Sequence, residues 1–170
     1  IAYSIDTAKR SGLFDAVYVS TEDAEIAAIA RKYGAALIHR PPELAEIGAP
    51  DCGTQEVTRH AITVLQGLSD NVEEACCIYA ACPMLTERDL IVMCQARYEM
   101  KMPYLYQPGQ AYWGTAAAFL DRVPLTKGWE LTPKARFIDI NSEEDWLRAE
   151  ALYRNAHAGA RSQHAIGEAS

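Results

Sequence analysis

Two polar side chains in the C-terminal part of the chain have a spacing that suits a metal site. Asp139 ends an apolar run, and Asn141 follows two residues later, just before a helix that begins at Ser142. On a strand, residues at i and i+2 point to the same side, so both side-chain oxygens would face one point. Hard oxygen ligands of this kind suit a divalent cation. The same pattern is also typical of a plain turn before a capped helix, so both interpretations stay open.

Further candidate residues follow predicted strands or begin predicted helices. Arg40 follows a strand, where a guanidinium could bind a phosphate or a nucleobase edge. Thr54 begins a helix, whose first amides and hydroxyl could hold an anion or a ribose. Residues 79–83 end an apolar strand, while Gln110 and Tyr112 lie beside a glycine in a segment that suits a sugar-like ligand. The structural alternatives are a solvated arginine, a helix cap, a turn after a core strand and a buried aromatic cluster.

The elements that would position these residues alternate between strand and helix. Apolar runs predict strands at residues 16–20, 35–38, 75–80 and 135–140. Helical periodicity and capping residues predict helices that begin near residues 1, 21, 54, 86 and 142. Strand, helix and strand joined by short connections form a βαβ unit, which requires a parallel sheet. The predicted fold class is therefore α/β, with a mostly parallel sheet.

Some segments are predicted differently. Residues 98–110 show no period, and residues 111–120 suggest a short helix. The last helix is predicted over residues 142–155, with Trp146 and Leu147 among its inward-facing residues. We expect one domain over residues 1–156, followed by a flexible tail over residues 157–170.

Composition excludes several classes of protein. The chain has 170 residues, of which 49% are hydrophobic, enough for a sizeable core. A net charge of -7 argues against binding to a nucleic-acid backbone. The five cysteines lack CxxC spacing, which favours buried thiols in a reducing compartment over a zinc site or disulfides. Without a signal peptide or an apolar stretch of membrane-spanning length, we expect a cytoplasmic protein that does not contact membranes.

Several stretches resemble the acylneuraminate cytidylyltransferases, enzymes that activate nine-carbon acidic sugars as CMP conjugates. The resemblance begins with residues 1–5, 11–15, 19–27, 33–35 and 40–44. The segments Cys76-Cys77-Ile78-Tyr79-Ala80-Ala81-Cys82-Pro83 and Gly109-Gln110-Ala111-Tyr112-Trp113-Gly114 look most like the pseudaminic acid branch of the family. The closing segment Asp139-Ile140-Asn141-Ser142-Glu143-Glu144-Asp145-Trp146 is similar to the family's metal-associated motif Asp-Ile-Asp-Thr-x-x-Asp-Trp.

The resemblance implies a doubly wound, Rossmann-like sheet of the nucleotide-diphospho-sugar transferase type, with helices on both faces. It implies attack by the anomeric hydroxyl of the sugar on the α-phosphorus of CTP, with release of pyrophosphate. Arg40 and Thr54 would contact CTP, and Asp139, as the catalytic residue, would hold Mg²⁺ together with Asn141. A homodimer is also implied. The residues that would line the sugar pocket are Tyr79, Ala80, Ala81, Cys82, Gln110 and Tyr112.

The chain departs from the family pattern in three places. It begins after the family's first strand and phosphate loop, and the segment near residues 98–108 is shorter than in the family. We therefore expect that residues of the parent protein are missing at the N-terminus and near Met100. Asn141 replaces a second Asp, which should weaken metal binding by removing one negative charge. The alternatives are sialic or legionaminic acid as the sugar, or a non-catalytic remnant that binds a nucleotide or a sugar.

Overall fold

The computed structural model of the protein describes residues 1–45, 53–68, 70–125, 129–130, 138 and 140–167. Its first part is a strand–helix–strand unit preceded by a helix, with the elements α1 (Ala2–Ser11), β1 (Tyr18–Thr21), α2 (Ala24–Lys32) and β2 (Ala36–His39). The two strands pair in parallel, with Val19 opposite Leu37, which confirms the predicted βαβ unit. A 3-10 helix follows at Pro42–Leu44.

A second sheet has four strands, β3 (Glu74–Ile78), β4 (Tyr104–Gln107), β5 (Ala111–Thr115) and β6 (Trp129–Glu130). Their order across the sheet is β3-β5-β4-β6. β5 is antiparallel to β3 and β4, whereas β6 is parallel to β4. β3, β4 and β6 therefore run in one direction and β5 runs against them. With the parallel pair β1 and β2, the described strands form two parallel and two antiparallel pairs, so the β5 hairpin makes the sheet more mixed than predicted within the predicted α/β class.

The hairpin from β4 to β5 corrects the sequence prediction for residues 98–120. Strands occupy residues 104–107 and 111–115, and the helix α5 begins only at Ala116 and ends at Leu120. Both faces of these strands are covered, so the alternation that reveals a half-exposed strand is missing. The turn is closed by the Gln110 N–H, which donates to the Gln107 carbonyl at 3.1 Å. Gly109 adopts φ 68°, which suits a glycine in this turn.

Helices cover both faces of the four-stranded sheet. The face with α3 (Thr54–Gly67) and α5 buries Ile62, Tyr104, Tyr112 and Phe119. The face with α4 (Glu87–Met100) buries Leu90, Met93, Leu105 and Trp113. Since successive strand residues point to opposite faces, Tyr104 and Leu105 belong to different clusters. This arrangement is the two-sided covering by helices that the resemblance implied.

Helix α1 joins the two sheets. Ile5 packs with Val19 and Ala30 in the cluster around β1 and α2. From the same helix, the Thr7 hydroxyl donates to the Leu85 carbonyl at 3.3 Å, just before α4. The neighbouring helices α1 and α4 are also linked by an ion pair between Arg10 and Glu87. Among the described residues, α1 therefore contacts both strand systems and links them.

The cysteines lie in and beside the core. Cys82 is buried, and burial raises the pKa of the Cys76 and Cys77 thiols, so both are protonated at neutral pH. Cys82 matches the prediction of a buried thiol, whereas Cys76, Cys77 and Cys94 are partly buried. Cys52 lies outside the described residues.

The last helix is longer than predicted, and the residues that it buries are not all the predicted ones. α6 runs over Glu143–Gly167, so most of the predicted tail at residues 157–170 is helical. Alanine, which favours helix, is frequent in this stretch. Trp146 and Leu147 are exposed rather than inward-facing, whereas Ala149 is buried. Within the described ranges, no helix combines the length and the apolarity needed to cross a membrane.

Candidate functional site

The end of β3 and the turn before β5 come together at one rim of the four-stranded sheet. The Tyr79 N–H donates to the Gln110 carbonyl at 2.8 Å, which extends the β3–β5 pairing by one residue. The Cys82 thiol donates back to the Tyr79 carbonyl at 2.6 Å and lies 3.6 Å from the Gln110 carbonyl. Two segments that are distant in sequence and were both predicted to line a sugar pocket are therefore adjacent.

The rim has an accessible layer and a buried layer. Ala80 is exposed, and Tyr79 and Ala81 are partly exposed, so these three can meet a ligand. Cys82 and Gln110 are each only 1% exposed, and Tyr112 is 2% exposed. The structure thus places the first three residues at the surface and the other three beneath them. As ligand contacts, all six remain predictions.

Ser4 supports the rim from below, and the sequence analysis did not identify it. Its hydroxyl lies 3.1 Å from the Tyr79 carbonyl and 3.3 Å from the Ala80 carbonyl, and it can donate to either. Ser4 is buried on the same stripe of α1 as Ile5 and Ala8. A lone hydroxyl on an apolar helix stripe is the signal that could have identified it, since buried polar groups need partners.

Gln110 links the rim to the chain segment around Asp139. Its side-chain amide nitrogen donates to the Gly109 carbonyl at 2.8 Å and to the Ile138 carbonyl at 3.4 Å. Ile138 is buried and precedes Asp139 in the chain. Asp139 itself lies outside the described residues, so its predicted catalytic and metal-binding role stays a prediction. The described part of the rim nonetheless holds the residue immediately before it.

The residues after Asp139 form a capped helix start. The Ser142 hydroxyl donates to Asp145 Oδ2 at 2.7 Å, and the Asn141 N–H donates to the same oxygen at 3.2 Å. The hydrogen bond from Ser142 is the main cause that lowers the pKa of Asp145. Asn141 is exposed. These contacts show the helix-capping alternative at residues 141–145, and the metal-ligand prediction for the Asn141 side chain stays open beside it.

Among the described residues, no group of three or more His, Cys, Asp or Glu side chains is arranged to hold a metal ion. The donor set predicted for Mg²⁺ consists of a carboxylate and an amide oxygen. Both are chemically suited to that cation. The Mg²⁺ prediction therefore rests on the resemblance at residues 139–146 and on the chemistry of these two oxygens.

Arg40 lies at the end of the two-stranded sheet. Its backbone N–H donates to the Thr21 carbonyl at 3.2 Å, and its Nε donates to Glu22 Oε2 at 2.6 Å. This hydrogen bond from Arg40 is the main cause that lowers the pKa of Glu22. A phosphate at Arg40 would therefore compete with a carboxylate. The contacts of the described residues do not join Arg40 directly to the rim at Tyr79.

Thr54 lies at the beginning of α3, as predicted, with Gly53 as the N-cap. The Thr58 hydroxyl donates to the Thr54 carbonyl at 2.7 Å and lies 3.5 Å from the Tyr112 hydroxyl. Burial strongly raises the pKa of Tyr112, so its hydroxyl stays protonated. The buried Tyr112 ring also meets the Tyr79 ring edge to face, with centroids 6.3 Å apart. Tyr112 therefore connects the rim at Tyr79 with α3 at Thr58.

A family model described as cytidylyltransferase matches residues 1–129, which include the strand–helix–strand unit, the rim and the beginning of α3. The chain belongs to the cytidylyltransferase family. This agrees with the resemblance stated from the sequence, and the cytidylyltransferase family is a group of nucleotidyltransferases.

Curated relatives give the same family and a narrower name. The pseudaminic acid cytidylyltransferase of Campylobacter jejuni subsp. jejuni serotype O:2 is 39% identical over 89 residues, which are 51% of this chain and 37% of that protein. A Helicobacter pylori protein named pseudaminic acid cytidylyltransferase and UDP-2,4-diacetamido-2,4,6-trideoxy-beta-L-altropyranose hydrolase is 34% identical over 91 residues, 53% of this chain and 17% of that protein. The chain thus spans well under half the length of these relatives.

A solved structure supports the fold. The cytidylyltransferase from Leptospira borgpetersenii serovar Hardjo-bovis superimposes with a TM-score of 0.58 at 15% sequence identity. The match covers 85% of this chain and 71% of that one. With the parallel strand pairs and the helices on both faces of the sheet, it confirms the predicted α/β class as a Rossmann-like nucleotidyltransferase fold.

Proposed function

We propose that the protein is a CTP-dependent cytidylyltransferase that activates a nonulosonic acid, with pseudaminic acid favoured. The observation that carries the proposal is the family match over residues 1–129. The sugar is supported by relatives at 34% to 39% identity whose names specify pseudaminic acid. Sialic and legionaminic acid are the alternatives within the same reaction.

The proposed reaction transfers a cytidylyl group. The anomeric hydroxyl of the sugar attacks the α-phosphorus of CTP, the bond to the β-phosphate breaks, and pyrophosphate leaves. Such a transfer depends mainly on the positioning of the two substrates and on stabilisation of negative charge on the phosphate oxygens. The protein offers a cation, Arg40, at the end of β2 and the positive end of the α3 dipole at Thr54.

The sugar would lie against the rim at Tyr79, Ala80 and Ala81. Beneath these residues, Cys82, Gln110 and Tyr112 would support the rim through the hydrogen bonds and the ring contact described above. This division follows from burial, because a side chain that is 1% or 2% exposed offers almost no surface to a ligand. Mg²⁺, held by Asp139 and Asn141, would neutralise charge on the phosphate oxygens.

The decisive experiment incubates the full-length protein with CTP, Mg²⁺ and each of pseudaminic, legionaminic and sialic acid, and it measures pyrophosphate release. We expect release with CTP but not with ATP, GTP or UTP, and the highest kcat/KM with pseudaminic acid. Faster turnover of another acid would change the sugar and keep the reaction. Absence of release with all three acids would contradict the proposal, and CTP binding without turnover would favour a non-catalytic nucleotide-binding role.

A matched pair of variants tests the predicted nucleotide contact. Arg40→Ala should raise the KM for CTP, because it removes a cation that would face the phosphates. Arg31→Ala is the control, since Arg31 is an exposed arginine near the end of α2. Equal KM values for the two variants would remove Arg40 from the site.

Light scattering tests the homodimer that the resemblance implied.

A further inference from the structure

We propose that Gln55 is a positioning residue that fixes the first turn of α3 for nucleotide binding. This inference rests on the proposed function, in which the neighbouring Thr54 contacts CTP. Gln55 is the second residue of α3, and its side-chain amide makes two hydrogen bonds to other elements. Neither the sequence motifs nor the comparisons assign it a role.

The amide nitrogen of Gln55 donates both of its protons. One goes to the Tyr104 hydroxyl oxygen on β4 at 3.1 Å, and the other goes to the Val123 carbonyl at 3.1 Å. Val123 follows α5, so one side chain connects the start of α3 with the sheet and with the turn after the next helix on that face. Two partners at fixed positions allow one orientation of the amide, and hence one position of the helix start.

Tyr104 is a rigid anchor for this contact. It is 0% exposed, and its ring packs edge to face on Phe119 with centroids 5.0 Å apart. Gly114 also lies so close to the ring that a Cβ at that position would be 2.6 Å from Cε1 of Tyr104. The hydroxyl oxygen that accepts from Gln55 is therefore held in place by the packing of the ring against Phe119 and Gly114.

The hydrogen bond from Gln55 also stabilises the hydroxyl of the buried Tyr104. Burial raises the pKa of Tyr104, and the hydrogen bond from Gln55 partly offsets that increase. Replacing Gln55 by an apolar residue would remove this partner from a buried hydroxyl, a cost that the helix start would relieve by shifting. One turn further on, Thr58 and Tyr112 form a second contact between α3 and the sheet. Gln55 is the anchor next to Thr54.

The consequence for nucleotide binding follows from geometry. The Thr54 hydroxyl and the first amides of α3 can bind phosphate or ribose oxygens only while their direction is fixed. A shift of the helix start would weaken these contacts, because a hydrogen bond weakens as its distance and angle depart from the ideal. Loss of the Gln55 anchor should therefore appear mainly in the affinity for CTP and less in kcat at saturating CTP.

The test compares Gln55→Leu with Gln66→Leu, the same substitution at an exposed position near the other end of α3. CTP binding is measured by calorimetry, and KM and kcat by pyrophosphate release. We expect Gln55→Leu to raise the dissociation constant and the KM for CTP about fivefold, the loss of a modest hydrogen bond, with kcat changed less than twofold. Gln66→Leu should match the wild type.

A second variant keeps the inference testable if Gln55→Leu folds poorly. Tyr104→Phe removes only the hydroxyl that accepts from Gln55, and it should also raise the dissociation constant. In the double variant the loss should be smaller than the product of the single losses, because both remove one shared contact. If the wild type binds CTP and these variants bind it equally well, the inference is wrong. If the wild type does not bind CTP, the proposed function fails and the inference fails with it.

Discussion

The close approach of Gly114 to Tyr104 leads to a quantitative prediction for Gly114→Ala. A Cβ on Gly114 would lie 2.6 Å from Cε1 of Tyr104, nearer still to Cδ1, and 3.0 Å from the Pro103 carbonyl oxygen. Tyr104 is fully buried and cannot move away without displacing Phe119. Forcing a methyl group into a packed core costs about 1–3 kcal/mol, so we expect the free energy of unfolding to fall by about 2 kcal/mol.

The control for this prediction is Gly67→Ala at the end of α3, where a Cβ would meet nothing within 4 Å. The same substitution there should leave the free energy of unfolding unchanged or raise it by about 0.5 kcal/mol, since alanine restricts the unfolded chain. Urea denaturation followed by circular dichroism measures both variants. The reasoning is refuted if Gly114→Ala unfolds within about 0.5 kcal/mol of the wild type, the range typical of a harmless surface change.

Three further predictions concern charges near the candidate site. Asp139→Ala should abolish Mg²⁺-dependent pyrophosphate release while circular dichroism shows a retained fold; unchanged release would remove Asp139 from the site. Glu22→Gln should lower the dissociation constant for CTP about two- to threefold by freeing Arg40 from its carboxylate partner, and a constant that rises would show that the pair serves binding as it is. The hydrogen bond from Ser142 lowers the pKa of Asp145. The stabilisation of the fold by the ionised Asp145 carboxylate is therefore present above about pH 4 and is lost at lower pH. Denaturation from pH 6 to pH 3 should show the wild type losing its advantage over Asp145→Asn as the pH falls; a constant difference would contradict this.

The parts of the fold that the sequence predicts well are those in which local chemistry and tertiary structure agree. The unit β1–α2–β2 has the predicted short apolar strands around a helix, although the helix begins at Ala24 rather than near residue 21, and its N-cap is Asp23, which accepts from the Ile26 N–H at 2.8 Å. At the start of α4, the predicted capping pattern is present, and the Thr86 and Asp89 side chains bond to each other's backbone N–H. Such caps satisfy backbone groups locally, so they can be identified without knowing the partner elements.

The parts that the sequence does not predict depend on distant partners. β4 has no visible period because its two faces pack on different helices, and the prolines at 103 and 108 flank it closely. The large aromatic side chain of Trp146 predicts a core residue, yet Trp146 is exposed on α6. For Gln110 and Tyr112, the sequence leaves open a ligand contact or a buried aromatic cluster, and the structure places both residues in the buried layer. Gln55 belongs to no motif that we identified in the sequence. Its proposed role depends on Tyr104 and Val123, which are distant in sequence and come close to it only in the folded protein.

The hairpin of β4 and β5 has a consequence for the order in which the protein folds. Its strands are neighbours in sequence and are joined by a tight turn at Gly109, so they can pair within microseconds of collapse. Pairing of β3 with β5 must instead close a loop that contains the whole of α4, which is slower for entropic reasons. The hydrogen bond from the Tyr79 N–H to the Gln110 carbonyl lies at the end of this β3–β5 pairing and depends on it. The surface predicted to receive the sugar is therefore completed late, and a refolding chain should regain its hairpin before it regains any affinity for ligand.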